Sequence, residues 1–320
     1  MLDFCIIGSG VAGSTIARLL SKKYSVHIFD KARGPGGRAS NKRFKKDLNF
    51  DHGVQYISPK NKKFLEFSKK LIRAKILKEW TGRHIDFNFE KKKNSLKLIG
   101  RKANNDLVKY QLKGIKKTFL SKVIKINFKG KFWEVLFENK LKIQSKGLII
   151  TCPFPQLKAL TKKYLNSKIL RLAVKMEPNI TVMIALKNNK TLPLSSIKFN
   201  DKILSWAANE NSKKRFISNT NLWTLQASLA WSKKNINKYK NNKKIEDELV
   251  MRFLKLTGIK KNKLIYQRIH GWKYSYNYRK TKFLSFWDKK YRLGLCGDWF
   301  NGPKVEDAWL SANNLKKQIR

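Results

Sequence analysis

Cysteine is scarce in this chain and is never paired in sequence. Three cysteines occur among 320 residues, at positions 5, 152 and 296, each inside an apolar stretch. An odd number of isolated cysteines argues against a disulfide framework and against a zinc site. The sequence therefore predicts buried thiols, no bound metal and a reducing, cytoplasmic setting.

Long hydrophobic runs are also missing. No apolar stretch of about 18 residues occurs, which excludes an ordinary membrane-spanning helix. The first residues, MLDFCIIGSG, carry neither a basic leader nor a long apolar core, so they suit a first strand better than a signal peptide. Apolar residues still make up 42% of the chain and aromatic residues 12%, which predicts a globular protein.

Negative charge is the third shortage. The chain has 72 lysine and arginine residues against 21 aspartate and glutamate residues, a formal net charge of +51. Such a surface attracts phosphates, nucleic acid and anionic lipid. The excess of Lys, Asn and Ile is also typical of an AT-rich genome, and we favour that explanation, although codon drift does not account for the missing acids. The charge thus predicts no specific nucleic-acid partner, and the sequence does not indicate an oligomeric state.

The chain begins with the pattern of a strand, a glycine turn, a helix and a second strand. These elements are predicted over residues 2–7, 8–13, 14–22 and 25–30. The two strands are continuous apolar runs of the kind that a parallel sheet buries on both faces. The pattern predicts a βαβ unit.

The glycine turn has the GxGxxG spacing of a dinucleotide site. Gly8 allows the tight turn, Gly10 lets the backbone approach a pyrophosphate, and Gly13 lets the helix pack closely on the strand. Asp30 ends the second strand, where a carboxylate can accept a hydrogen bond from a ribose hydroxyl. A purely structural turn is the alternative, but a strand, helix and acid in this order favour dinucleotide binding without separating NAD from FAD.

The rest of the chain alternates strand and helix patterns. They predict a helix over 61–80, short strands near 84–89 and 96–99, a β-meander over 123–150 turned at Lys129 and Gly130, strands over 180–186, 203–207 and 222–228, a helix over 245–256, a strand over 291–296 and a helix over 306–319. The region between about 153 and 286 has few glycines and predicts a separate lobe of sheet and helix.

Three segments resemble the FAD motifs of the renalase-like branch of the flavin amine oxidases. They are FDKARGPGGRAS at 29–40, FDHGVQYI at 50–57 and LCGDWF at 295–300, the last followed by VEDAWLS at 305–311. Weaker matches lie at 152–156 and 270–274. One departure is Val54, where the family commonly has alanine, and it narrows the space near the flavin.

The resemblance implies a non-covalently bound FAD and a role for each matching residue. It assigns Ala12 and Gly13 to the pyrophosphate, Asp30 to the adenosine ribose, Gly36, Gly37 and Arg38 to the phosphate and ribityl side, Val54, Gln55 and Tyr56 to the isoalloxazine, Val123 to the adenine, Asp298 to the ribityl chain, and Val305 to the flavin N1/O2 edge, with Gly297 as a further cofactor-binding residue. A helix N-terminus at Val305 would stabilise the negative charge of a reduced flavin.

Candidate catalytic residues lie in the predicted second lobe. Strand alternation would place His270, Trp272 and Tyr274 on one face, as an aromatic wall with one titratable imidazole. A core strand with a satisfied histidine is an equal alternative from the residues alone, and the resemblance favours the site. Trp206 is a similar candidate, and His52, beside the flavin motif, is at least as well explained as structural.

Taken together, these patterns predict an α/β fold, in which a Rossmann-type FAD-binding domain is interleaved with a β-sheet-plus-helix substrate domain. The expected boundaries are 1–60, 105–152 and 288–320 for the first domain, and 61–104 and 153–287 for the second. By resemblance, the activity is hydride transfer from a small molecule of dihydronicotinamide type to flavin N5. A flavin amine oxidase, an NAD-dependent dehydrogenase and a non-catalytic basic protein that binds RNA or anionic membrane remain open alternatives.

Overall fold

The computed structural model describes residues 1–45, 47–86, 95–187 and 192–319. Its helices are α1 Val11–Leu20, α2 Lys62–Arg73, α3 Asp106–Gln111, α4 Phe154–Thr161, α5 Ser167–Leu170, α6 Leu229–Asn235, α7 Lys243–Thr257 and α8 Val305–Gln318. Its strands are β1 Leu2–Ile7, β2 Val26–Phe29, β3 Asn41–Arg43, β4 Asn49–Asp51, β5 Leu77–Glu79, β6 His84–Ile85, β7 Leu98–Gly100, β8 Lys116–Thr118, β9 Val123–Phe128, β10 Trp133–Phe137, β11 Lys142–Ile150, β12 Glu177–Lys187, β13 Ser196–Lys198, β14 Leu204–Asn209, β15 Thr220–Ala227, β16 Leu264–Tyr276, β17 Phe286–Asp288 and β18 Leu293–Leu295.

The first lobe, called the Rossmann lobe below, is built on an eight-stranded sheet. Its main path runs β17-β18-β11-β1-β2-β8, and the meander strands β9 and β10 extend from β11. The pairs of β1 with β2, β1 with β11 and β11 with β18 are all parallel, so strands from both ends of the chain lie side by side. Helices α1 and α8 cover one face, where Ile16 and Leu315 are fully buried.

The second lobe is a six-stranded sheet in the order β16-β12-β15-β14-β13-β6. Alternate residues divide its two faces. Trp223 and Leu225 of β15 pack in the core that contains Phe253 of α7, whereas Leu222 on the opposite face packs near Phe50 of the Rossmann lobe. Helices therefore cover one face, and the other face lies over Phe44 and the segment 49–56. The two sheets confirm the predicted Rossmann-type fold with an interleaved sheet-plus-helix lobe.

The meander and the last helix are confirmed to within a few residues. Strands β9, β10 and β11 pair antiparallel in sequence order, and the turn includes Gly130 at φ +76°. The predicted strand over 291–296 is shorter, β18, and the predicted helix over 306–319 begins one residue earlier, as α8.

The predicted helix over 61–80 is wrong in its second half. Helix α2 ends at Arg73, Lys75 adopts a left-handed φ of +57°, and the chain continues into β5. The spacing of the apolar residues near position 77 fits both one face of a helix and a short strand. The strand forms because it pairs with β7. Of the strand predicted near 84–89, β6 is present, while residues 87–89 lie outside the described residues.

The domain boundaries stay a prediction. They place residues 61–104, which include α2, in the second domain, and the packing of α2 bears on this assignment. Phe64 and Leu71 of α2 belong to the same buried core as Ile16 of α1. No helix in the described part of the chain is long and apolar enough to cross a membrane.

Candidate active site

The glycine turn follows β1 and leads into α1, as the spacing predicts. Gly8 has φ +102°, and a Cβ on Gly13 would overlap the carbonyl oxygen of Gly8, so these two glycines are required by the protein's own backbone. Gly10 differs because its φ is −76° and a Cβ there would meet nothing within 4 Å. Its open surroundings therefore leave space for a ligand at the tip of the turn.

The start of α1 fits an anion. No side chain caps its N-terminus, its first turn contains no acid, and Ala12 is buried there. Uncapped backbone N–H groups and the positive end of the helix dipole favour a phosphate. The open space at Gly10 lies at this end, so the residues present fit the diphosphate of a dinucleotide.

Asp30 is bound to the glycine turn itself. Its carboxylate accepts from Ser9 N at 2.6 Å and from Ser9 Oγ at 2.7 Å, and it also accepts from Ala32 N at 2.8 Å. A carboxylate offers about four lone-pair positions, so acceptor capacity for a ribose hydroxyl remains. The contacts hold Asp30 at the edge of the turn, where the sequence predicts the ribose.

Arg38 joins the two ends of the chain. Its guanidinium forms a two-point ion pair with Asp298, with Nη1 to Oδ2 at 2.8 Å, and it also donates to the carbonyl of Ser275 in β16. Bidentate pairs of this kind fix orientation as well as charge. The sequence predicts a cofactor role for Arg38 and for Asp298 separately and does not predict that they bind each other.

Two glycines before Arg38 shape the same corner. Gly36 and Gly37 have φ of +136° and +53°, and a Cβ on Gly37 would lie 3.3 Å from Cα of Gly10. Gly36 N donates to Ser9 O at 3.0 Å, so the second glycine segment is bound to the first glycine turn. Asn105 fixes the segment by donating to Pro35 O at 3.1 Å.

The segment 51–56 lies beneath the uncovered face of the second sheet. Gln226 of β15 donates to Gly53 O at 2.9 Å, and Trp272 of β16 donates to His52 O at 2.9 Å. From the Rossmann side, Val54 N donates to Arg38 O at 2.9 Å. Both lobes thus hold this segment, and the side chain of Val54 stays half-buried.

Gln55 and Tyr56 point in different directions. Gln55 is buried, and its carboxamide contacts the carbonyl of Asp51 and Lys213 Nζ rather than an open space. Tyr56 is half-buried, and its ring lies 6.1 Å from that of Trp206. Contact of either residue with an isoalloxazine stays a prediction.

Three rings from the two lobes form one cluster. The centroids of His270 and Trp272 are 4.3 Å apart, and His52 lies 4.8 Å from His270 and 5.0 Å from Trp272. Burial lowers the pKa of His52 to about 3 and that of His270 to about 4, so both imidazoles are neutral at physiological pH. His52 Nδ1 is buried and has no hydrogen-bond partner among the described residues.

The predicted catalytic residues share a row across four strands. His270 is paired with Thr181, Thr181 with Gln226, and Gln226 with Trp206. Three inter-strand steps separate His270 from Trp206 by about 14 Å. Gln226 lies between them in this row and donates to Gly53 O. The sequence does not predict this contact, because a single glutamine in a strand matches no functional motif.

Trp206 belongs to a second aromatic group. Its neighbour Tyr56 lies 6.2 Å from Trp80, and Lys97 Nζ lies 5.8 Å from the Tyr56 ring. Trp80 and Lys97 also line a surface cavity of about 740 Å³ between residues 79–84 and 95–97. Two residues that line the cavity, Trp80 and Lys97, are therefore also neighbours of the Tyr56 ring.

A buried ionic cluster that the sequence does not predict lies beside this segment. Lys213 Nζ lies 2.8 Å from both Asp51 Oδ2 and Glu210 Oε2, and Arg215 Nη1 lies 2.5 Å from Asp51 Oδ2. Each of the four side chains is at most 1% exposed. The two cations hold the pKa of Asp51 down to about 2, whereas burial raises the pKa of Glu210. The cluster anchors the start of segment 51–56 to the β14–β15 connection.

The first turn of α8 carries two acids. Glu306 accepts from the backbone N–H groups of Lys60 and Asn61 at 2.6 and 2.7 Å, and Asp307 accepts from Lys304 N at 3.0 Å. These carboxylates compensate part of the helix dipole at Val305. The predicted contacts of Val305, of Gly297 and of Val123, the first residue of β9, with a cofactor stay predictions.

Two comparisons with known proteins agree with this geometry. The family model of the NAD(P)-binding Rossmann-like domain matches residues 6–71. A solved structure from Exiguobacterium sp. 255-15, provisionally named a protoporphyrinogen oxidase, superposes with a TM-score of 0.75 at 9% sequence identity, covering 99% of this chain and 98% of that one. A triple mutant of putrescine oxidase with redesigned cofactor binding gives a TM-score of 0.71 at 9% identity over 99% and 98% of the two chains.

The chain shares the fold of these two oxidases. The similarity extends over both lobes, so the interleaved arrangement is common to all three. At 9% identity the likeness concerns the fold, and the Rossmann-like match concerns the first 71 residues.

Proposed function

We propose that the protein is an FAD-dependent oxidoreductase of renalase-like type, which holds FAD non-covalently and takes a hydride from a small organic molecule. The observation that carries the proposal is the meeting of both chain ends around one corner. Gly36 N donates to Ser9 O of the first glycine turn at 3.0 Å, and Arg38 in the same glycine segment binds Asp298 from the C-terminal end. FAD would supply the hydride acceptor.

Each part of this corner has a distinct task in the proposal. The N-terminus of α1 and the space at Gly10 bind the diphosphate, and Asp30 accepts from the ribose. Arg38 and Asp298 orient each other beside the sugar-alcohol chain. His270 and Trp272 form a wall against which a planar substrate ring is positioned.

The chemistry of His270 favours a substrate that needs no strong base. Its pKa is lowered to about 4, mainly by burial, so it is a weak base at neutral pH. A dihydropyridine donor gives up a hydride without prior loss of a proton to the protein. We therefore rank a dihydronicotinamide-type substrate above an amine, for which His270 would have to keep the amine neutral.

The test is a visible spectrum followed by anaerobic reduction. We expect the purified protein to show flavin absorbance that is released on denaturation, as non-covalent binding requires. Isomers of reduced nicotinamide nucleotides should bleach this absorbance, and simple amines should not. Bleaching by amines alone would reverse our ranking, whereas a folded colourless protein whose nucleic-acid binding falls steeply with salt would support the non-catalytic alternative.

A further inference from the structure

The hairpin of β3 and β4 lies along one face of the edge strand β16. The ring of Phe44 lies 4.6 Å from that of Tyr266, and Phe50 lies 6.1 Å from Phe44. His52 follows two residues after Phe50 and reaches His270, so the contact continues along β16 in the direction of Trp272. The hairpin and β16 therefore enclose the three-ring cluster from two sides.

Two basic residues lie at this junction. Lys42 is paired with Phe50 across the hairpin and is two residues from Phe44, which contacts β16. Arg268 alternates with Tyr266 and His270 and so shares their face of β16. Lys42 is half-buried, Arg268 is exposed, and neither forms an ion pair with any residue that the structure describes.

Charges around the two imidazoles are almost all positive. Lys42 lowers the pKa of both His52 and His270, and Arg268 and Lys240 lower the pKa of His270 further. Among the described groups that act on either histidine, Asp51 is the single acid. Its carboxylate is already bound by Lys213 and Arg215, so it offers no counter-ion to a ligand.

We propose that Lys42 and Arg268 form a subsite for an anionic group of the substrate, whose ring lies against His52, His270 and Trp272. This inference rests on the proposed function and specifies the substrate class as planar molecules with a phosphate or carboxylate. A cationic diamine finds two repelling charges here and no carboxylate, so it is a poor ligand despite the shared fold with putrescine oxidase.

The test compares two reduced donors that have the same ring and sugar and differ in one phosphate. These are reduced nicotinamide mononucleotide and reduced nicotinamide riboside, titrated into the flavin-loaded protein. Binding is followed by quenching of tryptophan fluorescence, since Trp272 lies in the cluster, and reduction by flavin bleaching. We expect the mononucleotide to bind about tenfold more tightly at low salt, and the difference to shrink as salt screens the charges.

Variants identify the residues responsible. Lys42→Gln and Arg268→Gln should each weaken mononucleotide binding about threefold, since together they supply the tenfold preference, and leave riboside binding unchanged. Lys131→Gln removes the same charge from the exposed turn after Gly130 and should change neither donor. Competition by inorganic phosphate and by acetate distinguishes a phosphate subsite from a carboxylate subsite.

The two proposals fail in different ways. Equal affinity for both donors in a flavin-loaded protein, or loss of affinity for both donors in the Arg268→Gln variant, would overturn the subsite and leave the flavin assignment intact. If the protein takes up no flavin, the proposed function fails, while the fluorescence titration still reports whether the phosphate is recognised. Tight binding of putrescine would also refute the subsite.

Discussion

At the residue scale, the two glycines of the first turn serve different partners. A Cβ on Gly13 would overlap the backbone of Gly8, whereas a Cβ on Gly10 would meet no protein atom within 4 Å. The GxGxxG spacing predicted both positions because the whole motif lies within one local turn of six residues. The pairing of Arg38 with Asp298 could not be predicted in the same way, because 260 residues separate the two side chains and only the completed sheet brings them together.

The glycines give a prediction that separates ligand binding from folding. We expect Gly10→Ala to leave the melting temperature of the flavin-free protein unchanged and to lower flavin affinity at least about tenfold, because the new methyl group occupies the space of the diphosphate. Gly13→Ala should destabilise the flavin-free protein by about 2 kcal/mol or more, since the turn must open. Differential scanning fluorimetry and the ratio of flavin to protein absorbance measure both effects. Normal flavin content in Gly10→Ala would remove the diphosphate from this turn.

At the element scale, the sequence predicts those strands and helices whose positions follow from the local periodicity of apolar residues. Continuous apolar runs predicted β1, β2 and the last strand, and the meander was readable from its alternation. The anchoring of segment 51–56 was not readable, because Lys213 and Arg215 resemble any other basic residues in a chain with 72 of them. Lys213 and Arg215 bind Asp51 only after the β14–β15 connection has folded over it. More than 150 residues separate them from Asp51 along the chain.

The buried cluster gives the second prediction. Lys213→Met leaves two buried carboxylates facing one arginine, so we expect the free energy of unfolding to fall by about 3 to 5 kcal/mol. The double change Lys213→Met with Glu210→Gln removes one charge of each sign and should cost clearly less. Lys122→Met serves as the control, because its ion pair with Glu138 is exposed and contributes about 1 kcal/mol at most. Urea denaturation of the four proteins gives the comparison, and equal costs for Lys213→Met and Lys122→Met would contradict the importance of the cluster.

At the scale of the whole molecule, the few acids are largely engaged. Asp51 and Glu210 are buried in the ionic cluster, Asp298 binds Arg38, and Glu306 and Asp307 cap helix termini. Asp51 and Glu210 are buried with Lys213 and Arg215, and Asp298 is paired with Arg38, so these groups are neutral and the excess positive charge lies on the rest of the protein. Composition predicted the excess of positive charge, but the withdrawal of acids into the interior follows from the three-dimensional contacts.

A surface of this kind repels itself, and the repulsion is relieved when the chain unfolds and expands. We therefore expect salt to stabilise this protein: raising NaCl from about 20 mM to about 300 mM shortens the Debye length from roughly 20 Å to roughly 6 Å and should raise the melting temperature by about 3 to 6 °C. The control exchanges three exposed lysines, Lys131, Lys261 and Lys289, for glutamate; this variant should melt higher at low salt and respond less to NaCl. If the melting temperatures of both proteins fall with salt, exposed ion pairs contribute more to stability than the repulsion removes. The positive charge would then be dispersed enough not to destabilise the fold.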